Sequence, residues 1–295
     1  MITLNGKWIW IWNWSRCDDG DPAAVSRRLV AAGCTGAIVK AHDGPYWFGQ
    51  GRPWSEITAA LKKQGLRVGG WGYCYGVDPL GEAQRAIETI RSGAELFVLD
   101  VEDEFKGRPE LAEQLCRRLR EEVGPHFPLY YSSYAIAHFH RDFPFQVFDR
   151  YCSGAAPQVY WNAFRWPVEK AMASMYDDYS SLTISPGRIF PVAGVYREGA
   201  VDYPTGESLT AFAGTATSRG SLGISFWSYE HMNEAMWGAV AGLATKDENE
   251  EELTMNQYEE LSRRIATLEG RMAVVETATR VQAPPTARTY TVKRG

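Results

Sequence analysis

The chain is 295 residues long, 45% hydrophobic and 23% charged, with a formal net charge of −5. Those proportions belong to a globular protein, and the weak negative charge gives no electrostatic case for nucleic acid or an anionic membrane surface as a partner. No stretch approaches the roughly 18 uninterrupted apolar residues of a membrane helix, so no membrane span is expected. The five cysteines, Cys17, Cys34, Cys74, Cys116 and Cys152, show neither CxxC nor ligand-like spacing and read as buried free thiols. No metal or cofactor is expected. The opening Met1-Ile-Thr-Leu-Asn-Gly-Lys7 has no basic stretch followed by an apolar one, so it does not read as a secretory signal, and cytoplasmic synthesis is expected.

Short apolar runs alternate with amphipathic stretches from residue 7 to about residue 243. In chain order, strands are expected over residues 7–14, 36–41, 67–73, 96–101, 129–132, 158–161, 189–195 and 223–227. Helices are expected between them, over 22–32, 54–64, 81–92, 109–122, 167–179, 207–217 and 232–243, with residues 134–150 giving the weakest helical pattern. Helix-start chemistry supports several of these, as where Asp21 precedes Pro22. Eight βα units in about 240 residues match the size of a (β/α)8 barrel of the TIM type, an α/β fold whose active sites lie at the C-terminal ends of the strands. A doubly wound open sheet is the structural alternative. That fold needs a glycine-rich phosphate loop after its first strand, where Trp12-Asn-Trp-Ser-Arg-Cys17 stands instead.

Glu95-Leu-Phe-Val-Leu-Asp-Val-Glu-Asp-Glu104 is the most informative stretch. An apolar run of strand length ends in four acids. Alternation along a strand points Asp100 and Glu102 the same way, with Cα atoms roughly 6–7 Å apart. Repulsion and desolvation raise one pKa of such a pair, leaving a protonated acid beside an ionised partner. That is the working pair of a glycoside hydrolase; a strand running into a solvated acidic loop is the plainer reading. The 11 Trp and 15 Tyr residues add to the case, because indole and phenol faces suit sugar rings as well as cores. Trp71, Trp161 and Trp227 lie next to expected strand ends.

Other groups near strand ends are weighed the same way. Lys40, His42 and Asp43 follow the second expected strand and suit hydrogen bonds to substrate hydroxyls, or form a polar loop without function. Glu230 and His231 follow the eighth, where Glu230 is either a further substrate-binding or catalytic carboxylate or a helix start. Asp103 and Glu104 read as solvated loop charges. His138-Phe-His140 has a metal-compatible spacing but no evident third ligand. Ser132-Ser133 has no nucleophile-elbow pattern around it.

Past the barrel-sized segment 1–244, composition changes. Residues 245–252 form an acidic linker. Tyr258, Leu261, Ile265, Leu268, Met272 and Val275 then follow a 3-4 spacing, the seam of a short coiled coil over 253–279 and a possible homo-oligomerising element. Residues 280–295 begin with a proline-containing linker, and Thr289-Tyr-Thr-Val-Lys-Arg-Gly295 resembles the first strand of a LysM module, a binder of N-acetylglucosamine polymers.

Several strand-end segments together resemble the family 25 glycoside hydrolases, phage and bacterial lysozymes with a (β/α)8-like barrel. Gly36-Ala-Ile-Val-Lys-Ala-His-Asp-Gly44 is similar to that family's second strand, and residues 65–73, which include Trp71 and Tyr73, to its third. Val98-Leu-Asp-Val-Glu102 matches its Asp-x-Glu strand, which implies Glu102 as general acid and Asp100 as carboxylate partner. The likeness spans about residues 1–165. It departs at strand 1, where family 25 places an Asp and this chain has Ile9-Trp-Ile-Trp-Asn-Trp14, with Asn13 the nearest polar candidate. Gln158-Val-Tyr-Trp161 and Gly223-Ile-Ser-Phe-Trp-Ser-Tyr-Glu-His231 instead resemble family 18 chitinases, implying Tyr160 as a hydrogen-bond donor to the substrate and Trp227 as a stacking floor.

The shared chemistry these resemblances imply is retaining hydrolysis assisted by the substrate's own 2-acetamido group. The expected function is cleavage of N-acetylated bacterial cell-wall glycan by a muramidase or lysin acting on peptidoglycan or another N-acetylglucosamine-containing glycan. It would reach the wall after phage-type release or as a virion component. A chitinase or endo-β-N-acetylglucosaminidase is the alternative. A catalytically silent glycan-binding or phage structural barrel, favoured by the missing strand-1 Asp, is the reading from a different class.

Overall fold

The structure, a computed structural model, describes residues 4–244. Nine strands lie within that span: β1 (Gly6–Ile11), β2 (Gly36–Asp43), β3 (Tyr46–Trp47), β4 (Arg67–Cys74), β5 (Leu96–Val101), β6 (Leu129–Tyr134), β7 (Gly154–Val159), β8 (Val192–Gly194) and β9 (Gly223–Trp227). Eight of them pair in parallel in the order β1-β9-β8-β7-β6-β5-β4-β2, and β1 also pairs with β2, which closes the ring. The fold is therefore a closed parallel barrel, and the doubly wound alternative is excluded. β3 is an antiparallel extra strand that folds back on β2, with His42 opposite Trp47.

Helices α1 (Pro22–Ala31), α2 (Trp54–Lys63), α3 (Pro79–Arg91), α4 (Pro109–Val123), α5 (Phe145–Tyr151), α6 (Trp161–Phe164), α7 (Val168–Ser181), α8 (Gly206–Arg219) and α9 (Glu234–Ala241) connect the strands. Their starts carry the expected chemistry: Asp21, Asp78, Thr205 and Asn233 accept backbone N–H bonds as N-caps. The weak 134–150 interval resolves into a short turn and then α5. No described helix is long and apolar enough to cross a membrane.

Strand alternation sorts the interior into two shells. On β1, Trp8 and Trp10 enter the lumen, while Ile9 and Ile11 pack outward against the helices. On β5, Leu96 and Val98 face the lumen and Phe97, Leu99 and Val101 face out. The lumen is thus a packed core holding Trp8, Trp10 and Trp71 with Ile38, Tyr130 and Phe190. Gly36 makes room for it, since a Cβ there would lie 2.8 Å from the Trp8 ring and 2.3 Å from the Arg67 carbonyl oxygen. The buried Lys7 ammonium donates to the carbonyls of Val240 and Leu243, tying β1 to the C-terminal end of the last helix, where positive charge is favoured.

Two expected strands are corrected. The first ends at Ile11, and Trp14–Arg16 forms a 3-10 turn instead. The sixth begins at Gly154 and ends at Val159, so Tyr160 and Trp161 leave the sheet. The acidic linker, the heptad segment and the terminal segment lie outside the described residues.

Candidate active site

The barrel mouth forms where each inward row of side chains runs out of core. Above Leu96 and Val98 the next inward position on β5 is Asp100, buried at 7% exposure. Glu102, just past the strand, continues the row and is half-buried. Gln158 reaches them from β7: its Nε2 lies 3.2 Å from Asp100 Oδ1, 2.9 Å from Glu102 Oε1 and 3.3 Å from Ser132 Oγ. One amide nitrogen is therefore within hydrogen-bond range of both carboxylates and of the β6 hydroxyl that adjoins them.

Trp10, Asp100, Glu102, Ser132, Gln158, Tyr160 and Trp227 enclose a cavity of about 150 Å3. Its base is a triad of indoles packed edge to face, with centroids 5.6 Å apart for Trp10–Trp71, 5.9 Å for Trp10–Trp227 and 5.3 Å for Trp71–Trp227. The two deeper rings have their N–H groups satisfied: Trp10 donates to Ser225 Oγ at 3.0 Å and Trp71 to the Ile11 carbonyl at 3.0 Å. Trp71 consequently supports the floor from below, and the half-buried Trp227 is the indole at its surface. Tyr160 packs edge-on against Tyr196 at 5.8 Å.

Burial pushes the Asp100 carboxyl well above the usual carboxylate range, and repulsion from Glu102 adds to it. Lys40 and hydrogen bonds from Ser132 and Gln158 pull the other way. Glu102 is also raised, by burial first and then by the charges of Glu104 and Asp103, against the Gln158 hydrogen bond. The two carboxylates together hold a proton to higher pH than isolated ones would.

The flanks are polar and internally paired. Lys40 Nζ sits 2.6 Å from Asp43 Oδ1, and 4.5 and 5.0 Å from the Phe48 and Trp71 ring centroids. Tyr75 donates to Asp43, and Tyr73 donates to Glu104 at 3.0 and 3.1 Å. Glu104 is thus held at the rim rather than free in solvent. Asp103 pairs with Lys106 at 2.6 Å.

Four residues expected to bind substrate are placed elsewhere. A register shift between Lys40 and His42 reverses the alternation of β2, so His42 points outward. Its ring stacks on Phe97 at 5.6 Å, and a Cβ on Gly72 would lie 2.0 Å from Nε2. Burial lowers its pKa to about 4, which keeps it neutral at pH 7. Trp161, 4% exposed, stacks on Phe212 of α8 at 5.4 Å because the chain turns before it. Glu230 Oε1 accepts the backbone N–H groups of Trp12 and Asn13 at 3.0 and 2.6 Å, and Asn13 Oδ1 caps Ser15. Both pin the turn after β1. Of the histidine pair, His138 bonds Asp178 and His140 stacks on Tyr134.

Gln158, Ser132 and Trp10 are site residues that strand-end motifs alone do not single out. Period-2 alternation offers a signal for Gln158, which shares a face with Tyr160 two residues on.

No protein-family profile matches the sequence, and no curated protein matches it. Solved structures do resemble its backbone. A chitinase from Bacteroides thetaiotaomicron superposes with a TM-score of 0.66 at 8% identity, covering 84% of this chain and 98% of that one. The chitinase from Chromobacterium violaceum ATCC 12472 gives 0.60 at 12% identity, over 80% and 98% of the two chains. The Bacillus cereus spore cortex-lytic enzyme SleL gives 0.61 at 9% identity, over 84% and 77%. At such identities the likeness is one of fold.

Proposed function

We propose that the protein is a glycoside hydrolase acting on N-acetylated glycans, with Glu102 as general acid and Asp100 as its carboxylate partner. The observation that carries this reading is the single Gln158 nitrogen bridging the buried Asp100 and half-buried Glu102 carboxylates in a cavity shared with Tyr160 and Trp227. Protonated Glu102 gives its proton to the glycosidic oxygen as that bond to the anomeric carbon breaks. The substrate's acetamido oxygen attacks the same carbon, Asp100 stabilises the oxazolinium charge, and the Tyr160 hydroxyl donates to the acetamido oxygen. Water then opens the ring at the anomeric carbon and returns its proton to Glu102, so configuration is retained. This route needs no carboxylate nucleophile, which fits a first strand, Gly6–Ile11, that carries no acidic residue.

Peptidoglycan is the proposed substrate, in a muramidase- or lysin-like role, with chitin or an N-glycan core as the alternative. Neighbours of the same fold described as chitinases and as a cortex-lytic enzyme support the glycan class without separating these bonds. In this reading the protein meets the wall after phage-type release or on a virion.

A second reading, a glycan-binding barrel without turnover, is favoured by one observation. Trp10 occupies the lumen beneath the acid pair and leaves a cavity of only about 150 Å3. Mass spectrometry of products from purified peptidoglycan and from chitin oligomers, with wild type beside Glu102→Gln, decides between them. New reducing-end muramic acid absent with the variant supports the muramidase. New reducing-end N-acetylglucosamine moves the assignment to a glucosaminidase or chitinase. Glycan binding without products supports the silent barrel, and identical products from both proteins remove Glu102 from the mechanism.

A further inference from the structure

The strand that carries the acid pair runs into a turn that sends the next two carboxylates to opposite sides. Asp103–Phe105 forms a single 3-10 turn, closed by the Phe105 N–H on the Glu102 carbonyl oxygen at 3.1 Å. Phe105 is fully buried and packs edge-on against Phe148 at 5.5 Å, so the turn is anchored in the core. Asp103 reaches toward β6, where it accepts the Tyr134 hydroxyl at 2.5 Å. Glu104 reaches toward β4, where the Tyr73 hydroxyl donates to its two oxygens at 3.1 and 3.0 Å. Because β5 lies between β4 and β6, the two acids flank Glu102.

Their charges are not balanced alike. Lys106 Nζ lies 2.6 Å from Asp103 Oδ1 and offsets that charge. Among the described residues no ion pair reaches Glu104, and Lys40, the cation on the β2 side, sits 2.6 Å from Asp43 Oδ1. The titratable groups that face Glu102 from the neighbouring strands are phenols, Tyr73 from β4, Tyr134 from β6 and Tyr160 past β7. Burial pushes all three hydroxyls up, so they stay uncharged at neutral pH. His140, stacked on Tyr134, is lowered by burial and is uncharged as well. Tyr73 stands in register with Asp100 and packs against the lumen core, so its hydroxyl draws the Glu104 carboxylate back over the mouth. Outside the acid pair itself, Glu104 is therefore the unbalanced charge beside Glu102.

We propose that Glu104, fixed by Tyr73, is a positioning residue for proton donation: its unbalanced negative charge holds the proton on Glu102 until the glycosidic oxygen takes it. The proposal rests on the glycoside hydrolase reading and deepens it, assigning the upper pH limit of the acid to a carboxylate outside the pair. Repulsion from Glu104 disfavours the ionised form of Glu102. Removing that charge lowers the pH at which the acid is lost, the opposite of what removing the Gln158 amide does.

The test follows wild type, Glu104→Gln and Tyr73→Phe in the full chain by two readouts. One is the pH–rate profile on peptidoglycan and on chitin oligomers; the other is a carbon NMR titration of the side-chain carboxyls, with Glu102 assigned through Glu102→Gln. Glu104→Gln keeps an acceptor for Tyr73 and removes only the charge, so the alkaline limb and the Glu102 midpoint should both fall by about 0.5–1 pH unit. Tyr73→Phe keeps the charge but frees the side chain, and should move both by part of that amount. Glu207→Gln, on the exposed first turn of α8, changes net charge equally and should move neither. A limb and midpoint unmoved by Glu104→Gln overturn the proposal. Loss of turnover at every pH, as deep as that of Glu102→Gln, overturns it in favour of Glu104 as the acid itself. A lowered midpoint in a protein that cleaves neither glycan supports the hold of Glu104 on Glu102 and sinks the hydrolase reading, whereas an unmoved midpoint with Glu102-dependent cleavage does the reverse.

Discussion

The two halves of the barrel mouth use their polar residues differently. On the β5–β7 side, Asp100, Glu102, Ser132 and Gln158 converge on one cavity. On the β1–β2 side the polar groups serve the fold. Glu230 pins the turn after β1, Lys40 is closed on Asp43, and Gln50 donates to the carbonyls of Trp12 and Lys40 while accepting the Trp14 N–H. The difference gives the missing strand-1 carboxylate a structural context. That half of the mouth is built as a closed support, and the chemistry is concentrated across from it.

Several substitutions can break or sharpen this contrast. The largest effect is expected for Glu102→Gln, which keeps shape but cannot donate a proton and lowers kcat about 10²–10⁴-fold on a glycan substrate. A loss below tenfold would remove the acid role. Gln158→Leu comes next. Hydrogen bonds to charged groups are worth about 1.5–3 kcal/mol, so turnover should fall about 10- to 100-fold. The amide stabilises the ionised forms of both carboxylates, so both limbs of the pH–rate profile should move upward; an unshifted profile would make Gln158 merely structural.

On the opposite side, Glu230→Ala removes the acceptor of two backbone N–H groups and should cost about 1–3 kcal/mol of stability in denaturant unfolding. Turnover per folded molecule should stay within about twofold; a catalytic collapse would return Glu230 to the site. The smallest effect concerns Asp100→Asn. The folded-state pKa of Asp100 is raised above its unfolded value of about 3.9. The unfolded chain therefore releases this proton first, and the stability contribution falls as pH rises from about 4 through the folded pKa. Asn should raise the melting temperature at pH 7, and the gain should vanish below about pH 4. A gain that persists in acid would point to packing instead.

Legibility from the sequence followed the strength of local pattern. β5 is a continuous apolar run ending in charge, and its bounds and inward row follow from alternation alone. β7 is not readable in that way. Gly154-Ala-Ala-Pro157 carries little hydrophobic signal and a proline, which argues against a strand. Those residues are small because others fill the space: a Cβ on Gly154 would lie 2.2 Å from the Arg188 carbonyl oxygen, and Ala156 faces the crowded lumen. The bulge that turns His42 outward leaves no trace in composition.

What the sequence by itself determined is the eightfold βα rhythm, the barrel, and the pair Asp100 and Glu102 at one strand end, because all three depend on spacing along a single chain. Only the tertiary structure decided which aromatic residues face a ligand. Trp8 and Trp14 are packed away, Trp71 is a support and Trp10 lines the cavity from a buried position, whereas Trp227 and Trp166 border open volume with part of their surface exposed. Nothing local separates these cases. An indole fills a core and stacks on a sugar by the same apolar face, and only the arrangement of neighbouring strands determines what that face meets.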